Sequence, residues 1–157
     1  MKYLLIIFFV FYSMRLLGKD YTMEDTATFE TIANIKLSDN TEFSVVSIIG
    51  HWKDNLGSFG SNKCYGTLEK KEKITLYLDV LCEKESEKGK IITRGGREKS
   101  LQEAGVGYVK IIDATKDYKS LLNTSCKYAV SYFENNLQFI TKCNVDKSIL
   151  NKIKNNL

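Results

Sequence analysis

Apolar and polar residues alternate along most of the chain after its first eighteen positions, which is typical of half-buried β-strands. The clearest run places five residues on one face at a period of two, namely Ile74, Leu76, Leu78, Val80 and Cys82, with Thr75, Tyr77 and Asp79 on the other face. Upstream, Cys64, Gly66 and Leu68 share one face, and the polar stretch from Lys70 to Lys73 is typical of a turn. The pattern therefore predicts a hairpin in which Cys64 and Cys82 both point toward the core.

Further strands are predicted on both sides of this hairpin. Thr28 to Leu37 and Phe43 to Trp52 flank a polar turn, and Lys90 to Arg94 and Val106 to Ala114 flank a segment rich in Gly, Lys and Glu. In total the chain offers about eight strands, each joined to the next by a short polar turn. This order predicts an all-β fold, an eight-stranded antiparallel up-and-down β-barrel, because closure removes the edges that paired strands otherwise expose. A two-sheet sandwich is the alternative.

After Cys143 the apolar period changes to that of a helix. Five residues fall on one helical face, namely Val145, Ile149, Leu150, Ile153 and Leu157. Asp146 lies near the start of this segment and Lys154 near its end, as the helix dipole prefers. We expect a short C-terminal amphipathic helix that packs on the outside of the barrel or caps one of its mouths.

The N-terminus has the pattern of an export signal. Lys2 gives a positive start, Leu4 to Tyr12 are all apolar or aromatic, and Ser13 to Gly18 are mixed. The sequence predicts a signal peptide at residues 1–18, with cleavage after Gly18, followed by a single domain at residues 19–157. The apolar run is about half of the ~20 residues that a transmembrane helix needs, so we expect no stable membrane insertion after cleavage. An uncleaved N-terminal anchor is the alternative.

The chain has four cysteines, an even number, and exported proteins fold in oxidising compartments. This predicts two disulfides. In a hairpin, facing residues have position numbers with a constant sum. The pair Cys64 and Cys82 centres on Lys73, beside the proposed turn, and the pair Cys126 and Cys143 centres on the polar stretch from Glu134 to Asn136. We therefore predict the disulfides Cys64–Cys82 and Cys126–Cys143, although four cysteines allow three connectivities and a β-bulge shifts a register by one residue.

No metal site, cofactor site or nucleic-acid surface is expected. The cysteines are far apart and no histidine lies beside any of them, whereas zinc ligands are usually two to four residues apart. The formal net charge is +4, and cleavage of the signal removes Lys2 and Arg15 and so lowers it by two charges, to +2. Acidic and basic residues alternate through the rest of the chain, whereas a nucleic-acid footprint needs a clustered basic stripe.

The segment from Ala114 to Asn123 resembles the Gly-Thr-Gly-x-Tyr-x-x-Leu-x-Gly segment of allene oxide cyclase-like and dirigent-like β-barrels. Thr115, Tyr118 and Leu121 match, and Ala114, Lys116 and Asn123 replace the glycines. With Gly50-His51-Trp52 and Ala104-Gly105-Val106-Gly107, the pattern is also similar to uncharacterised small exported proteins of AT-rich marine bacteria. The resemblance covers roughly residues 50–143. It implies an eight-stranded barrel with a central cavity, in a superfamily whose members cyclise small hydrophobic molecules or guide their coupling.

Three residues are candidates for contact with a small ligand inside such a barrel. Trp52 and His51 are the only residues of their kinds, and Tyr128 shares the inward face of Cys126. Each also has a simple structural interpretation, since a single His or Trp is usually a packing residue and strands are rich in tyrosine. Arg94-Gly95-Gly96-Arg97 is interpreted as a solvated loop rather than an anion site, because no phosphate-loop pattern follows. No catalytic residue is assigned.

These observations lead to a hypothesis for function. We expect a periplasmic or secreted, non-catalytic β-barrel that binds a small hydrophobic ligand or has its interior filled by side chains, since eight strands enclose room for either. One alternative is a cofactor-free cyclase or isomerase that uses tyrosine hydroxyls or His51. Another is an interaction or inhibitor module of the cell envelope. The ligand, the partner and the oligomeric state are not specified by the sequence.

Overall fold

Eight antiparallel strands follow one another along the chain and close into a barrel with the strand order β1 to β8. The structure, a computed structural model, describes residues 19–101 and 104–155, and the proposed signal peptide at 1–18 lies outside them. The strands are β1 Lys19–Lys36, β2 Thr41–Asp54, β3 Phe59–Lys71, β4 Ile74–Ser86, β5 Gly89–Leu101, β6 Ala104–Ala114, β7 Ser125–Phe133 and β8 Asn136–Val145. A 3₁₀ helix, Lys116–Leu121, joins β6 to β7, and a helix α1, Lys147–Asn155, follows β8. The predicted fold class is confirmed.

The first and last strands close the ring. β1 pairs antiparallel with β8 from Lys19 opposite Val145 to Thr28 opposite Asn136. Beyond Thr28, β1 continues with β2 alone as a hairpin that extends past the end of β8. The closed part of the barrel therefore has no free strand edge along this seam.

Both predicted disulfides are present and each joins two directly opposite residues of a hairpin. Cys64 on β3 faces Cys82 on β4, and Cys126 on β7 faces Cys143 on β8. All four cysteines are buried, so their side chains lie inside the barrel. The prediction succeeds because the register between each cysteine pair and its turn is nearly unbroken. It is continuous between β7 and β8, and between β3 and β4 it shifts by a single residue.

The two helices cover one end of the barrel. Leu150 and Ile153 of α1 and Leu121 of the 3₁₀ helix are buried in one cluster with the inward side chains Tyr21 and Trp52. The C-terminal helix thus caps a mouth, the second of its two expected positions. No helix within 19–101 and 104–155 is long and apolar enough to cross a bilayer.

Three strand predictions need correction. β5 runs from Gly89 to Leu101 rather than from Lys90 to Arg94, so Arg94-Gly95-Gly96-Arg97 lies in a strand, with Arg97 buried, and not in a solvated loop. β1 begins at Lys19 rather than Thr28, because Tyr21, Met23 and Asp25 already alternate inward. In β4 the expected face breaks at Leu76, where the register with β3 shifts between Lys70 opposite Thr75 and Glu69 opposite Tyr77. The shift turns Thr75 inward, where it is fully buried, and leaves Ile74 exposed.

We expect the two disulfides to stabilise the fold to a similar degree. They close loops of 18 and 17 residues, so replacing either pair of cysteines by alanine should lower the free energy of unfolding by about 2–4 kcal/mol. Urea unfolding of the C64A/C82A and C126A/C143A double variants measures both losses against the oxidised parent. Peptide mapping of the oxidised parent that finds Cys64 bridged to Cys126 or Cys143 would contradict the hairpin pairing.

Candidate functional site

The barrel encloses an apolar cavity to which all eight strands contribute side chains. Its volume is about 50 Å³, which holds roughly three to five water-sized groups. Pockets for drug-sized ligands span ~300–1,000 Å³. The cavity therefore fits a very small molecule, or the end of a slender one.

The wall of the cavity is mainly aliphatic and aromatic. Val109, Val130, Leu137 and Phe139 contribute apolar surface, and the exceptions include the side chains of Thr93, Thr141, Lys84 and Tyr128. Glycine makes room for one of them, because a Cβ at Gly107 would overlap the ring of Tyr128. The small residue on β6 thus allows a large aromatic residue from β7 to lie across the wall.

A charged pair crosses the interior. Lys84 lies on β4 and Asp25 on β1, two strands that are separated by β2 and β3, and the Lys84 ammonium bonds to Asp25 Oδ1. The side chains are 3% and 0% exposed, so solvent does not screen the pair. The amide of Asn62, on β3, donates a second hydrogen bond to Asp25 Oδ1, at 3.0 Å. Asp25 Oδ2 is buried and has no hydrogen-bond partner within the described part of the chain.

Burial shifts both partners of this pair toward their neutral forms. Desolvation raises the pKa of Asp25, against the opposing charge and hydrogen bond of Lys84. Desolvation likewise lowers the pKa of Lys84, against the opposing effect of Asp25. The aromatic rings of Phe139 and Trp52, whose centroids lie 5.0 and 5.8 Å from Lys84 Nζ, favour the charged ammonium. Burial thus opposes the charge on both partners of the pair, and their mutual attraction favours it.

Tyr128 brings an unused hydrogen-bonding group to the cavity wall. Its hydroxyl is buried and has no partner among residues 19–101 and 104–155. Burial raises the pKa of Tyr128 to about 12, so the hydroxyl stays protonated at physiological pH and remains a donor. A buried group of this kind costs free energy unless a ligand or water satisfies it.

The three candidate ligand residues do not form one site. Tyr128 lines the cavity, whereas Trp52 is buried in the cluster at the capped end, where its ring meets Tyr118 edge-on at 6.1 Å and its indole N–H donates to the Glu85 carbonyl. His51 lies exposed on the outer face of β2, in a surface groove of about 290 Å³ beside Phe59. His51 and Trp52 face opposite sides because adjacent residues of a strand alternate.

The sequence arguments missed the pair of Asp25 and Lys84, although the signal for Lys84 was present. Lys84 is two residues after Cys82 and Asn62 is two residues before Cys64. Both therefore lie on the inward face of their strand, as the two cysteines do. Asp25 continues the inward alternation of Tyr21 and Met23. Which of these side chains meet across the interior depends on the tilt of the strands.

The uncapped end differs from the capped one. Val46, Leu68 and Leu78 form a small buried cluster toward this end, with Phe29 packed against it. Arg97 lies over the ring of Tyr132, 5.6 Å from its centroid, and donates to the Leu101 carbonyl. On the side that neither helix within 19–101 and 104–155 covers, the interior is therefore bordered by apolar and aromatic side chains together with the buried side chain of Arg97.

No family model matches the chain, and no curated protein or solved structure shows significant similarity to it. Within the described ranges, no three His, Cys, Asp or Glu side chains are grouped so that they could hold a metal ion. The residues of the cavity are therefore the basis for inferring a function.

We expect Lys84→Met to destabilise the protein by roughly 3–5 kcal/mol at pH 7, because the Asp25 carboxylate is then buried without a counter-charge. The loss should depend on pH. Burial raises the pKa of Asp25 in the folded state above the unfolded value of about 3.9. Below the unfolded pKa, Asp25 is neutral in both states and costs little when buried. As the pH rises from the unfolded pKa of Asp25 to its folded pKa, the variant loses stability.

Urea unfolding between pH 3.5 and pH 8 measures this dependence. Lys127→Met, which removes an exposed lysine of β7, is the matched control and should change stability by less than about 0.5 kcal/mol. The double variant D25N/K84M should recover most of the loss, since it removes both charges. A loss for Lys84→Met that is equal at every pH would show that Asp25 does not carry the effect.

Proposed function

We propose that this protein is an exported, non-catalytic barrel that binds a slender apolar molecule in its interior. The observation that carries the proposal is an apolar cavity, enclosed by all eight strands, whose wall includes Tyr128. The hydroxyl of Tyr128 is buried and has no partner in the described part of the chain. An apolar enclosure with few polar groups is the usual character of small-molecule sites.

The size of the cavity specifies the shape of the ligand. A volume of about 50 Å³ admits a short straight chain and excludes a fused ring system. A longer chain has room only if it continues toward the uncapped end, where Phe29, Leu68 and Leu78 offer apolar contact. The ligand class that fits is therefore a short aliphatic molecule or the end of an aliphatic chain.

The polar groups of the wall favour a ligand with one hydrogen-bond acceptor. Tyr128 is protonated over the physiological range and can donate. An alcohol, ester or carbonyl oxygen would satisfy this hydroxyl, whereas a pure alkane would leave it unpaired. We therefore favour a mono-oxygenated aliphatic molecule over a hydrocarbon.

The export part of the proposal is supported by the two disulfides, which are typical of an oxidising compartment. Together with the signal pattern at residues 1–18, they favour a periplasmic or secreted location. The resemblance to allene oxide cyclase-like barrels stays a prediction, and it agrees with a small hydrophobic ligand. The position of His51 on the outer face favours binding over the cyclase alternative, because that residue cannot reach the interior.

Straight-chain alcohols from propanol to octanol should bind the mature protein, and naphthalene should not. Binding is measured by NMR from shifts of the methyl groups of Val109, Val130 and Leu137, which line the cavity. We expect Tyr128→Phe to weaken binding of the alcohols by roughly 2–13-fold, the equivalent of one hydrogen bond. Tyr65→Phe is the matched control, because Tyr65 is an exposed tyrosine of β3 and should leave the affinity unchanged.

Two outcomes would count against the proposal. Shifts confined to the outer surface, with the methyl groups of the cavity unaffected, would mean that the interior is closed to ligands. Native mass spectrometry of protein purified from its own envelope gives the second test. A bound lipid fragment or metabolite of low mass supports the proposal, whereas a bound protein with an empty interior supports the interaction-module alternative instead.

A further inference from the structure

Lys84 presents a primary amine to the contents of the cavity and not to solvent. Its side chain extends from β4 into the interior, is 3% exposed, and belongs to the wall of the cavity. Among the lysines of the described residues, no other contributes to that wall. A molecule that enters the cavity therefore meets a single nucleophilic nitrogen, surrounded by apolar side chains such as Met23 and Phe139.

The surroundings of Lys84 suit an amine that reacts in its neutral form. Desolvation is the leading influence on both Lys84 and Asp25, and it acts against the charged form of each group. Burial in apolar surroundings is one of the ways in which proteins make a lysine nucleophilic near neutral pH. By contrast, only about one exposed lysine in 2,500 is unprotonated at pH 7.

Asp25 is placed to move the protons that such a reaction needs. Its Oδ1 already bonds to the Lys84 nitrogen, and the Asn62 amide holds that same oxygen at 3.0 Å. The second oxygen, Oδ2, is buried with its hydrogen-bonding capacity unused in the described structure. One oxygen of this carboxyl group is bonded to the amine and the other has no partner among the described residues. Such a group can accept a proton from the nitrogen and donate a proton to the oxygen of a nearby ligand.

We infer that Lys84 is a covalent attachment site for short aliphatic aldehydes, formed as an imine inside the barrel with Asp25 as its proton donor and acceptor. This inference rests on the proposed function and specifies the class of ligand, since an aldehyde is a mono-oxygenated aliphatic molecule. The cavity of about 50 Å³ limits the ligand to a short straight chain.

The reaction balances without an oxidant or a reductant. The Lys84 ammonium first passes a proton to Asp25. The lone pair of Lys84 Nζ then forms a bond to the aldehyde carbon while the carbonyl oxygen takes the proton of the Asp25 carboxyl, and the nitrogen returns a proton to the carboxylate. The resulting carbinolamine loses its hydroxyl as water, with the proton for that step again supplied by Asp25. The nitrogen is left doubly bonded to carbon. If the imine is protonated, the Asp25 carboxylate is its counter-ion.

Trapping with butanal and cyanoborohydride tests the inference on the folded, disulfide-bonded protein. Each reduced imine adds a butyl group, and peptide mapping by mass spectrometry locates it. We expect Lys84 to be modified at least ~10-fold faster at pH 7 than exposed Lys127 in the same molecule, because the cavity holds the aldehyde beside its amine. 2-Naphthaldehyde should modify exposed lysines and leave Lys84 untouched, because it does not fit the cavity.

This comparison lies within one molecule, so it does not depend on whether a Lys84 variant folds. Asp25→Asn provides an independent check, since it should slow modification of Lys84 relative to Lys127 while circular dichroism reports a folded barrel. Excess butanol should slow labelling of Lys84 alone by occupying the same space. Labelling confined to exposed lysines would overturn the inference.

The outcomes also separate this inference from the proposed function. If butanol shifts the cavity methyl groups but butanal never modifies Lys84, ligand binding stands and covalent attachment is wrong. If neither molecule reaches the interior, both are wrong.

Discussion

The pairing of β1 with β8 is the constraint on which the rest of the structure depends. Without it the eight strands are an open sheet, and the residues that alternate inward have no opposite wall to face. Closure brings Asp25 on β1 within bonding distance of Lys84 on β4, although 59 residues separate them along the chain. It also converts a row of apolar side chains into an enclosed cavity.

Much of this architecture follows from short-range patterns. The period of two and the positions of the cysteines suffice to predict the hairpins, because a disulfide between facing residues sets the register of its own pair of strands. The same rule misleads at Leu76, where one extra residue in β4 reverses the faces of Thr75 and Ile74. A bulge of this kind has no signal in the local alternation, so it emerges only when the neighbouring strands are aligned.

The interior site was harder to predict for a different reason. Local alternation shows that Lys84 points inward, but which residue it meets depends on how far each strand is displaced along its neighbour around the ring. That displacement is a property of the closed barrel and not of any one hairpin. His51 and Trp52, two of the three candidate ligand residues, lie on opposite sides of the barrel wall because adjacent residues of a strand alternate. Candidates drawn from one strand should therefore be spaced two residues apart.

The buried pair of Asp25 and Lys84 brings two opposite charges into the interior of the barrel. Replacing a buried ion pair by apolar side chains of similar volume generally leaves stability equal or higher, so folding alone does not require these residues. Lys84 belongs to the wall of the cavity, which points to a role in what the barrel holds. Tyr128 adds to this contrast, since its hydroxyl is also buried without a partner in the described structure.

The arrangement of the seam has a mechanical consequence. Lys19 at the start of β1 lies opposite Val145 at the end of β8, so a force that draws the two chain ends apart, once α1 has detached, loads the hydrogen bonds of the seam one after another. The bridge between Cys143 and Cys126 lies two residues from that point and stops β8 from peeling away from β7. Under tension the ring would open at this one junction and become a sheet whose covalent cross-links are both intact.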